Sequence, residues 1–224
     1  MPYYPVMLDV CGRPCLVVGG GAVGARKVEG LLFCGAAVTV VSPDLCPELA
    51  ARAEAGEITA ILRPFDEADL SGMFLVISAA DDPEVNRRVW AAAEAGGQLV
   101  NVADQPDKCN FILPSVIRQG DLAVCFSTSG KSPALAKKLR KDLSAHFGPE
   151  YAVLLDILGA ARKKLLAVSH APEKHKPLFE RLVEGPLLDA IRKRDRAAAD
   201  RVLASVLGPG TTVEDLLGPG RFPG

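Results

Sequence analysis

The sequence predicts an α/β protein, in which a parallel sheet is followed by a strand-rich segment and a small helical domain. Short apolar runs alternate with amphipathic stretches of helical length over the first part of the chain. A glycine-rich turn joins the first apolar run to the first amphipathic stretch. From about Glu150 onward the segments are helical. We therefore expect three regions, residues 1–113, 114–149 and 150–224.

The first region is expected to contain five strands connected by helices and short loops. The predicted strands are Leu16–Val18, Ala37–Val41, Ile58–Ile61, Met73–Ser78 and Leu99–Val102. The predicted helical stretches are Val23–Leu32, Pro47–Ala55 and Val85–Ala95. Because the pattern alternates strand and helix with short connections, the strands should run parallel. Sheets of this kind bind ligands at the carboxyl ends of their strands.

The glycine-rich turn is a G-x-G-x-x-G motif formed by Gly19, Gly21 and Gly24. In a Rossmann-type sheet the first glycine permits a tight turn, the second lets a pyrophosphate approach the backbone, and the third lets the helix pack on the sheet. The motif therefore predicts a dinucleotide site at a helix N-terminus. The candidate cofactor-binding residues are Gly19, Gly20, Gly21, Ala22, Val23 and Gly24 in this loop, and Ser42, Pro43, Asp44, Ala79, Ala80, Asp81 and Val102 at other strand ends.

The end of the second strand indicates NAD rather than NADP. NAD sites usually have an acidic residue there for the ribose hydroxyls, whereas NADP sites supply a basic residue for the extra phosphate. The chain reads Ser42-Pro43-Asp44 at this point, with an acid two residues along and no basic residue adjacent. The alternative role for Asp44 is to cap the following turn.

Two strands joined by a turn, Phe111–Ile117 and Leu122–Ser127, are predicted where the first region passes into the second. A helix should follow, with Ser132 as its N-cap and Pro133 at its first position. A two-stranded ribbon is only marginally stable, and these strands carry too many apolar residues to face water on both sides. We therefore expect a homodimer formed through residues 110–144.

Five cations lie within eleven residues of this region, namely Lys131, Lys137, Lys138, Arg140 and Lys141. They indicate an anion-binding surface, and the alternative is a solvated helix face. The hydroxyl and amide groups of Ser127–Gly130 offer further donors for a carboxylate. Nucleotide hydrolysis at a P-loop is not expected, because Cys125 stands where that motif requires glycine.

The composition favours a cytoplasmic globular enzyme. The net charge of −1 argues against binding to nucleic acid. The sequence has no apolar run of membrane-spanning length and no signal peptide at its start, so no membrane association is expected. The six cysteines lack C-x-x-C spacing and are expected to be free thiols. His146, His170 and His175 lack metal-ligand spacing, so no metal site is predicted.

Four stretches together resemble precorrin-2 dehydrogenase, the N-terminal region of siroheme synthase, and this resemblance covers nearly the whole chain. They are Val17–Lys27, Asn101–Asp104, Asn110–Ser115 and Ser127–Lys137. No methyltransferase region follows Gly224, so the resemblance is to the stand-alone form and methylation of uroporphyrinogen is not expected.

The resemblance implies an NAD-dependent homodimer that oxidises the tetrapyrrole precorrin-2 to sirohydrochlorin. The family's catalytic aspartate falls on Asp104, for which the alternative is a turn residue before Pro106. The family's serine pair falls near Ser127 and Thr128. The second residue of the pair is a threonine in this chain, so it departs from the family pattern for any role or modification that requires serine. The candidate substrate-binding residues are Ser127, Thr128, Ser129, Gly130, Lys131, Lys137 and Lys141.

Two alternative functions remain from the sequence. Some relatives in this family also insert ferrous ion into sirohydrochlorin. This second activity would require a place for a metal ion, and the sequence shows no ligand cluster beyond Asp104 and the scattered histidines. A dinucleotide-sensing module without enzymatic activity would explain the glycine loop, but it would leave Asp104 and the basic segment without a role.

Overall fold

The computed structural model describes residues 3–168 and 172–223, so His170 lies outside the described residues. The chain divides into two compact units, residues 1–113 and 114–224. The first unit is a parallel sheet with helices on its faces, and the second contains a small antiparallel sheet and the C-terminal helices. The predicted fold class is therefore confirmed.

The parallel sheet contains five strands in the spatial order β3-β2-β1-β4-β5. Their bounds are β1 Pro14–Val18, β2 Ala37–Val41, β3 Thr59–Ile61, β4 Leu75–Ser78 and β5 Leu99–Val102. Val18 at the end of β1 is in register with Val41 on one side and with Ser78 on the other. The chain thus leaves β1 toward one half of the sheet and later returns to the other half, which makes the ends of β1 and β4 the topological switch point.

Three α-helices connect these strands: α1 Ala22–Phe33, α2 Pro47–Glu54 and α3 Pro83–Ala95. Short 3₁₀ turns occur at Glu67–Leu70 and Pro106–Lys108. The central strand β1 and its neighbour β4 are almost entirely apolar, as expected for strands that are covered on both faces. On one face Val17 and Ile77 pack against Val28 and other residues of α1. On the other face Leu16 packs in a cluster that includes Val89 of α3.

The outer edge of β5 is covered by the chain that follows it. Asn110 donates from its backbone N–H to the carbonyl of Val100 (3.1 Å), and its side-chain oxygen accepts from the Val100 N–H (2.8 Å). Its amide nitrogen also donates to the carbonyl of Gln98 (2.8 Å). One asparagine therefore satisfies backbone groups that an additional strand would otherwise pair.

The predicted strand Phe111–Ile117 is wrong in its first half, since β6 comprises Ser115–Gln119. The carbonyl of Phe111 instead accepts a hydrogen bond from the side chain of Asn101 (3.0 Å), and the Phe111 ring packs against the core of the first unit. Pro114 precedes β6 and has no N–H to donate to a ladder.

The second unit begins with the antiparallel pair of β6 and β7, the latter at Leu122–Phe126. Its helices are α4 Pro133–Ser144, α5 Glu150–Val168, α6 Pro172–Glu184, α7 Leu187–Arg192, α8 Arg196–Leu207 and α9 Val213–Leu217. Both α4 and α5 contact the two strands, and Ile117 of β6 is buried. A separate cluster around Ile157, Leu187 and Leu203 forms the core of the helical part.

Among the described residues no helix is both long and apolar enough to cross a membrane. All six cysteines are free thiols, as predicted, and Cys11 and Cys125 are exposed.

Candidate functional site

The predicted site residues of the first unit meet at the carboxyl edge of the sheet. Backbone hydrogen bonds extend the strand pairing one residue beyond the strands themselves. Gly19 donates to the carbonyl of Val41 (3.0 Å), Ala79 to Val18 (2.7 Å), and Ala103 to Ser78 (2.8 Å). The loops that follow β1, β2, β4 and β5 therefore start side by side, as expected for a ligand crevice at the switch point.

Two glycines of the motif are required by close backbone packing. Gly19 has φ +116°, and a Cβ at this position would lie 2.4 Å from the carbonyl oxygen of Ala79. A Cβ on Gly24 would lie 2.2 Å from the carbonyl oxygen of Gly19, so α1 packs directly on the turn. Neither contact leaves room for a side chain, since real Cβ atoms do not approach other atoms below 3.0 Å.

Gly21 differs, because a Cβ built on it meets no atom within 4 Å. It is exposed and is the N-cap residue of α1, with φ −83° and ψ −174°. Glycine offers no side chain to cap the first N–H groups of the helix, and the first turn contains no acidic residue. The N–H groups of Ala22, Val23 and Gly24 thus form a donor set with the positive end of the helix dipole behind it, which suits an anion such as pyrophosphate.

The loop after β2 lies against the glycine turn. A Cβ on Gly20 would lie 2.0 Å from the carbonyl oxygen of Asp44 and 2.9 Å from the hydroxyl oxygen of Ser42, and Cys46 donates its N–H to the Gly20 carbonyl (2.8 Å). Pro43 and Asp44 are exposed. The N-cap residue of α2 is Cys46 rather than Asp44. The structure thus brings Ser42–Asp44 beside the glycine turn without using the Asp44 side chain as the helix cap.

The loop after β4 is held by Asn86, a buried residue of α3 that is not among the predicted site residues. Its side-chain oxygen accepts from the Ser78 hydroxyl (2.6 Å) and from the Ala80 N–H (3.3 Å), and its amide donates to the Ala80 carbonyl (2.8 Å). This clamp fixes the start of the Ala79–Asp81 loop against Gly19. A polar residue inside an otherwise apolar helix face was the available sequence signal.

Asp104 lies in an exposed turn directly after β5 and has φ +58°. Few non-glycine residues adopt this conformation, although aspartate tolerates it better than most. Such backbone outliers concentrate at functional sites. Val102, by contrast, is buried and packs in the core beside α3.

Lys27 of α1 interacts electrostatically with Asp104, a relationship that the sequence did not indicate. Burial lowers the pKa of the Lys27 ammonium and the positive charge of Arg26 lowers it further, whereas Asp104 and Cys109 act in the opposite direction. Burial also raises the pKa of the Cys109 thiol, which accepts from the Val102 N–H (3.2 Å). The carboxylate of Asp104 therefore has a half-buried cation in its surroundings.

In the second unit the Ser127–Ser132 loop is organised by its own hydroxyl groups. Ser127 accepts from the Ser129 N–H (3.1 Å), Thr128 accepts from the Ser132 N–H (3.1 Å), and Ser132 caps α4 by accepting from the Leu135 N–H (3.2 Å). Ser129 and Gly130 have positive φ, at +51° and +81°. A hydroxyl that accepts a hydrogen bond can still donate its own proton to an anion.

The five cations predicted to bind anions are exposed on or just before α4. Lys137 and Lys141 are four residues apart and therefore share one side of the helix. Lys138 forms an ion pair with Asp142, which reduces its availability. Lys131 is the last residue of a turn, which it closes by donating its backbone N–H to the carbonyl of Thr128 (3.0 Å).

Within residues 3–168 and 172–223, no three His, Cys, Asp or Glu side chains are grouped as ligands for a metal ion. His146 is exposed and His175 is buried in the helical unit.

Residues 6–115 match the model of a protein family described as "Putative NAD(P)-binding". Siroheme synthase of Thioalkalivibrio sulfidiphilus is 39% identical over 215 residues, which is 96% of this chain and 44% of that protein. Siroheme synthase of Chromobacterium violaceum is also 39% identical, over 89% of this chain and 42% of that protein. The chain thus spans less than half the length of these curated relatives.

A solved structure, described as SirC, precorrin-2 dehydrogenase, superposes with a TM-score of 0.78 at 28% sequence identity. The alignment covers 92% of this chain and 99% of that one. The similarity therefore includes both units rather than the dinucleotide fold alone. The chain is thus similar to a putative NAD(P)-binding family over residues 6–115, to siroheme synthases over most of its own length, and to the precorrin-2 dehydrogenase SirC in structure.

Proposed function

We propose that the chain is an NAD-dependent precorrin-2 dehydrogenase, which oxidises precorrin-2 to sirohydrochlorin in tetrapyrrole biosynthesis. The observation that carries the proposal is the meeting of the glycine turn, the Ser42–Asp44 loop and the Asp104 turn at one edge of the sheet. Many enzymes have a dinucleotide crevice of this kind. The similarity to a precorrin-2 dehydrogenase over 92% of this chain supports the choice of this reaction among them. We place the protein in the cytoplasm.

The cradle around Gly21 fits a dinucleotide. Backbone atoms fill the space beside the Cα atoms of Gly19 and Gly24. The space beside Gly21 is open, and it lies at the first N–H groups of α1. These groups would hold the pyrophosphate, and Ser42 and Asp44 would hold the adenosine ribose. When bound, the nicotinamide ring supplies a hydride acceptor. Asn86 would keep the β4 loop in position beside it.

Asp104 is the candidate catalytic residue. Removing a hydride from a reduced macrocycle must be accompanied by loss of a proton, and an exposed carboxylate at the end of β5 can accept that proton or orient the ring. Lys27 adds a half-buried positive charge to the surroundings of this carboxylate. The positive φ of Asp104 is a backbone conformation of the kind that clusters at functional sites.

The exposed face of α4 is the candidate site for the substrate's acidic substituents. Precorrin-2 carries eight carboxylates, so a protein of nearly neutral net charge needs a local group of cations to bind it. Lys131, Lys137 and Lys141 supply that charge, together with the hydroxyl and amide groups of Ser127–Gly130. These interactions contribute to binding rather than to the chemical step.

A homodimer through the β6–β7 segment completes the proposal. Within the described part of the chain the two strands pair only with each other, and an isolated two-stranded ribbon is marginally stable. Val116 and Cys125 are register partners on the face opposite Ile117, and Cys125 is exposed. Sedimentation of the full chain at micromolar concentration should give a dimer, and a monomer would contradict this part of the proposal.

The decisive experiment follows precorrin-2 and NAD⁺ spectroscopically in the wild type and in Asp104→Asn. The wild type should form sirohydrochlorin without added metal. The variant should bind NAD⁺ normally but turn over at least about 10²-fold more slowly, the factor typical of a lost general base. Asp107→Asn, which removes an exposed carboxylate from the same segment, is the matched control and should be active. Near-normal turnover by Asp104→Asn would remove Asp104 from the mechanism, and no sirohydrochlorin from the wild type would refute the assignment.

The role of α4 has a separate test. Replacing Lys137 and Lys141 together by alanine should raise KM more than it lowers kcat, because the carboxylates they would hold do not react. Lys138→Ala is the control on the same helix, and its effect should be smaller because Asp142 already pairs with Lys138. Equal loss in all variants would indicate that α4 does not bind the substrate through Lys137 and Lys141.

A further inference from the structure

An arginine–aspartate pair follows β3, the strand that pairs with β2, and the end of β2 begins the loop assigned above to the adenosine ribose. The guanidinium of Arg63 donates from Nη1 to Oδ2 of Asp69 (2.9 Å) and from Nη2 to Oδ1, so the pair is bidentate. Nη1 also donates to the carbonyl of Pro64 (2.9 Å). The guanidinium is therefore held in one orientation by three hydrogen bonds.

The backbone connects this pair directly to Ser42. The carbonyl of Ile61, at the end of β3, accepts hydrogen bonds from the N–H of Ser42 (3.2 Å) and from the N–H of Arg63 (3.1 Å). Ser42 in turn lies against Gly20 of the glycine turn. Arg63 thus begins next to the strand end at which Rossmann-type proteins distinguish the ribose hydroxyls of NAD from the 2′-phosphate of NADP.

The two partners differ in exposure. The Arg63 side chain is 44% exposed, whereas that of Asp69 is only 6% exposed. The hydrogen bonds from Arg63 are the principal reason that the pKa of the Asp69 carboxyl is below its ordinary value. Asp69 also accepts from the N–H of Asp66 (2.9 Å) within the capping box of the 3₁₀ turn. The carboxylate is therefore a fixed element of the fold, and the arginine is the exposed partner held to it.

We propose that Asp69 determines the choice of NAD over NADP by holding Arg63 in a neutral ion pair, so that no free guanidinium is offered to a 2′-phosphate. This inference rests on the proposed dinucleotide site. Arginine is the residue that commonly receives the 2′-phosphate in NADP sites, because its planar fork matches phosphate oxygens. Here that fork is already filled by a carboxylate, and the carboxylate itself repels a second anion.

The test measures the dissociation constants of NAD⁺ and NADP⁺ by calorimetry for the wild type and three variants of the full chain. Asp69→Asn removes the negative charge but keeps an oxygen that can accept from the Asp66 N–H. Asp69→Asn combined with Arg63→Gln removes the arginine as well. Asp66→Asn is the matched control, because it removes a negative charge from the same capping box without breaking a hydrogen bond to Arg63.

Asp69→Asn should bind NADP⁺ about tenfold more tightly than the wild type, a gain of the size expected for one charge-assisted hydrogen bond to phosphate. Its affinity for NAD⁺ should be unchanged, which also shows that the variant is folded. The double variant and Asp66→Asn should show no gain. An unchanged NADP⁺ affinity in Asp69→Asn, or an equal gain in either of the other two variants, would overturn the inference while leaving the NAD site intact. A wild type that binds neither dinucleotide would overturn the proposed function and this inference with it.

Discussion

Replacing Gly21 by aspartate should abolish NAD⁺ binding and leave the fold intact. Gly21 is the N-cap residue of α1 and already has extended backbone angles, φ −83° and ψ −174°, that any residue can adopt. A Cβ at this position contacts no protein atom within 4 Å. Aspartate is among the preferred N-cap residues and exceeds glycine by a few tenths of a kcal/mol at that position. The stability of the variant should therefore equal or slightly exceed that of the wild type.

The loss of binding has an electrostatic magnitude. A carboxylate about 4 Å from one phosphate charge raises the energy by about 4 kcal/mol at an effective dielectric constant of about 20. This energy corresponds to a dissociation constant for NAD⁺ that is roughly 10³-fold larger. The new side chain can also accept the N–H groups that would otherwise bind the pyrophosphate.

Calorimetric titration with NAD⁺ and urea unfolding followed by circular dichroism check the two halves of this prediction. Gly21→Asn is the matched control, because it adds the same bulk and a comparable N-cap without the charge. It should bind NAD⁺ more tightly than Gly21→Asp does. Wild-type affinity in Gly21→Asp would refute the assignment of the pyrophosphate to this helix N-terminus, and a large loss of stability would refute the account of Gly21 as a position with free space.

Three further predictions concern the framework of the site. Gly24→Ala should lower the free energy of unfolding, measured in urea, by about 2 kcal/mol. The clash with the Gly19 carbonyl costs up to about 3 kcal/mol, and the higher helix propensity of alanine offsets about 1 kcal/mol of it. An unchanged free energy of unfolding would mean that α1 can move away from Gly19. Asn86→Ala should cost about 3 kcal/mol in the same assay, since it leaves the buried Ser78 hydroxyl and the backbone groups of Ala80 without their partner; a loss below 1 kcal/mol would show that water replaces it. The third prediction concerns Lys27, whose pKa is lower in the folded protein than the ordinary 10.5. Between these two pKa values the unfolded chain binds more protons than the folded one, so the free energy of unfolding rises with pH. Lys27→Met should remove that component of the rise when unfolding is measured across this alkaline range, and parallel pH curves for the two proteins would contradict it.

Local signals in the sequence were sufficient for the parallel sheet. The strands β2 and β5 have the predicted bounds, and the other three differ only at their ends. Continuous apolar runs identify strands that are buried on both faces, and short alternating connections leave few topologies available. The short helix α9 also has a local signal, because its N-cap Thr212 and its third residue Asp215 form a capping box.

The segment after β5 could not be predicted from local pattern. The residues Phe111–Leu113 are as apolar as a strand, but they follow Asn110, whose side chain pairs with the edge of β5. The competition between starting a new strand and closing an existing edge depends on which backbone groups are still unpaired in the folded sheet. That information is absent from a window of ten residues.

The sequence by itself determined the order of the elements, the glycine turn and the position of Asp104 after a strand, because each depends on residues that are close together in the chain. Only the tertiary structure decided which groups surround those positions. The clamp by Asn86, the charge of Lys27 near Asp104 and the pairing of Arg63 with Asp69 each arise when separate segments pack at one edge of the sheet. Hydrogen bonds and charges act over a few ångströms in space regardless of separation along the chain, so a residue's partners are fixed only when the fold brings them into contact.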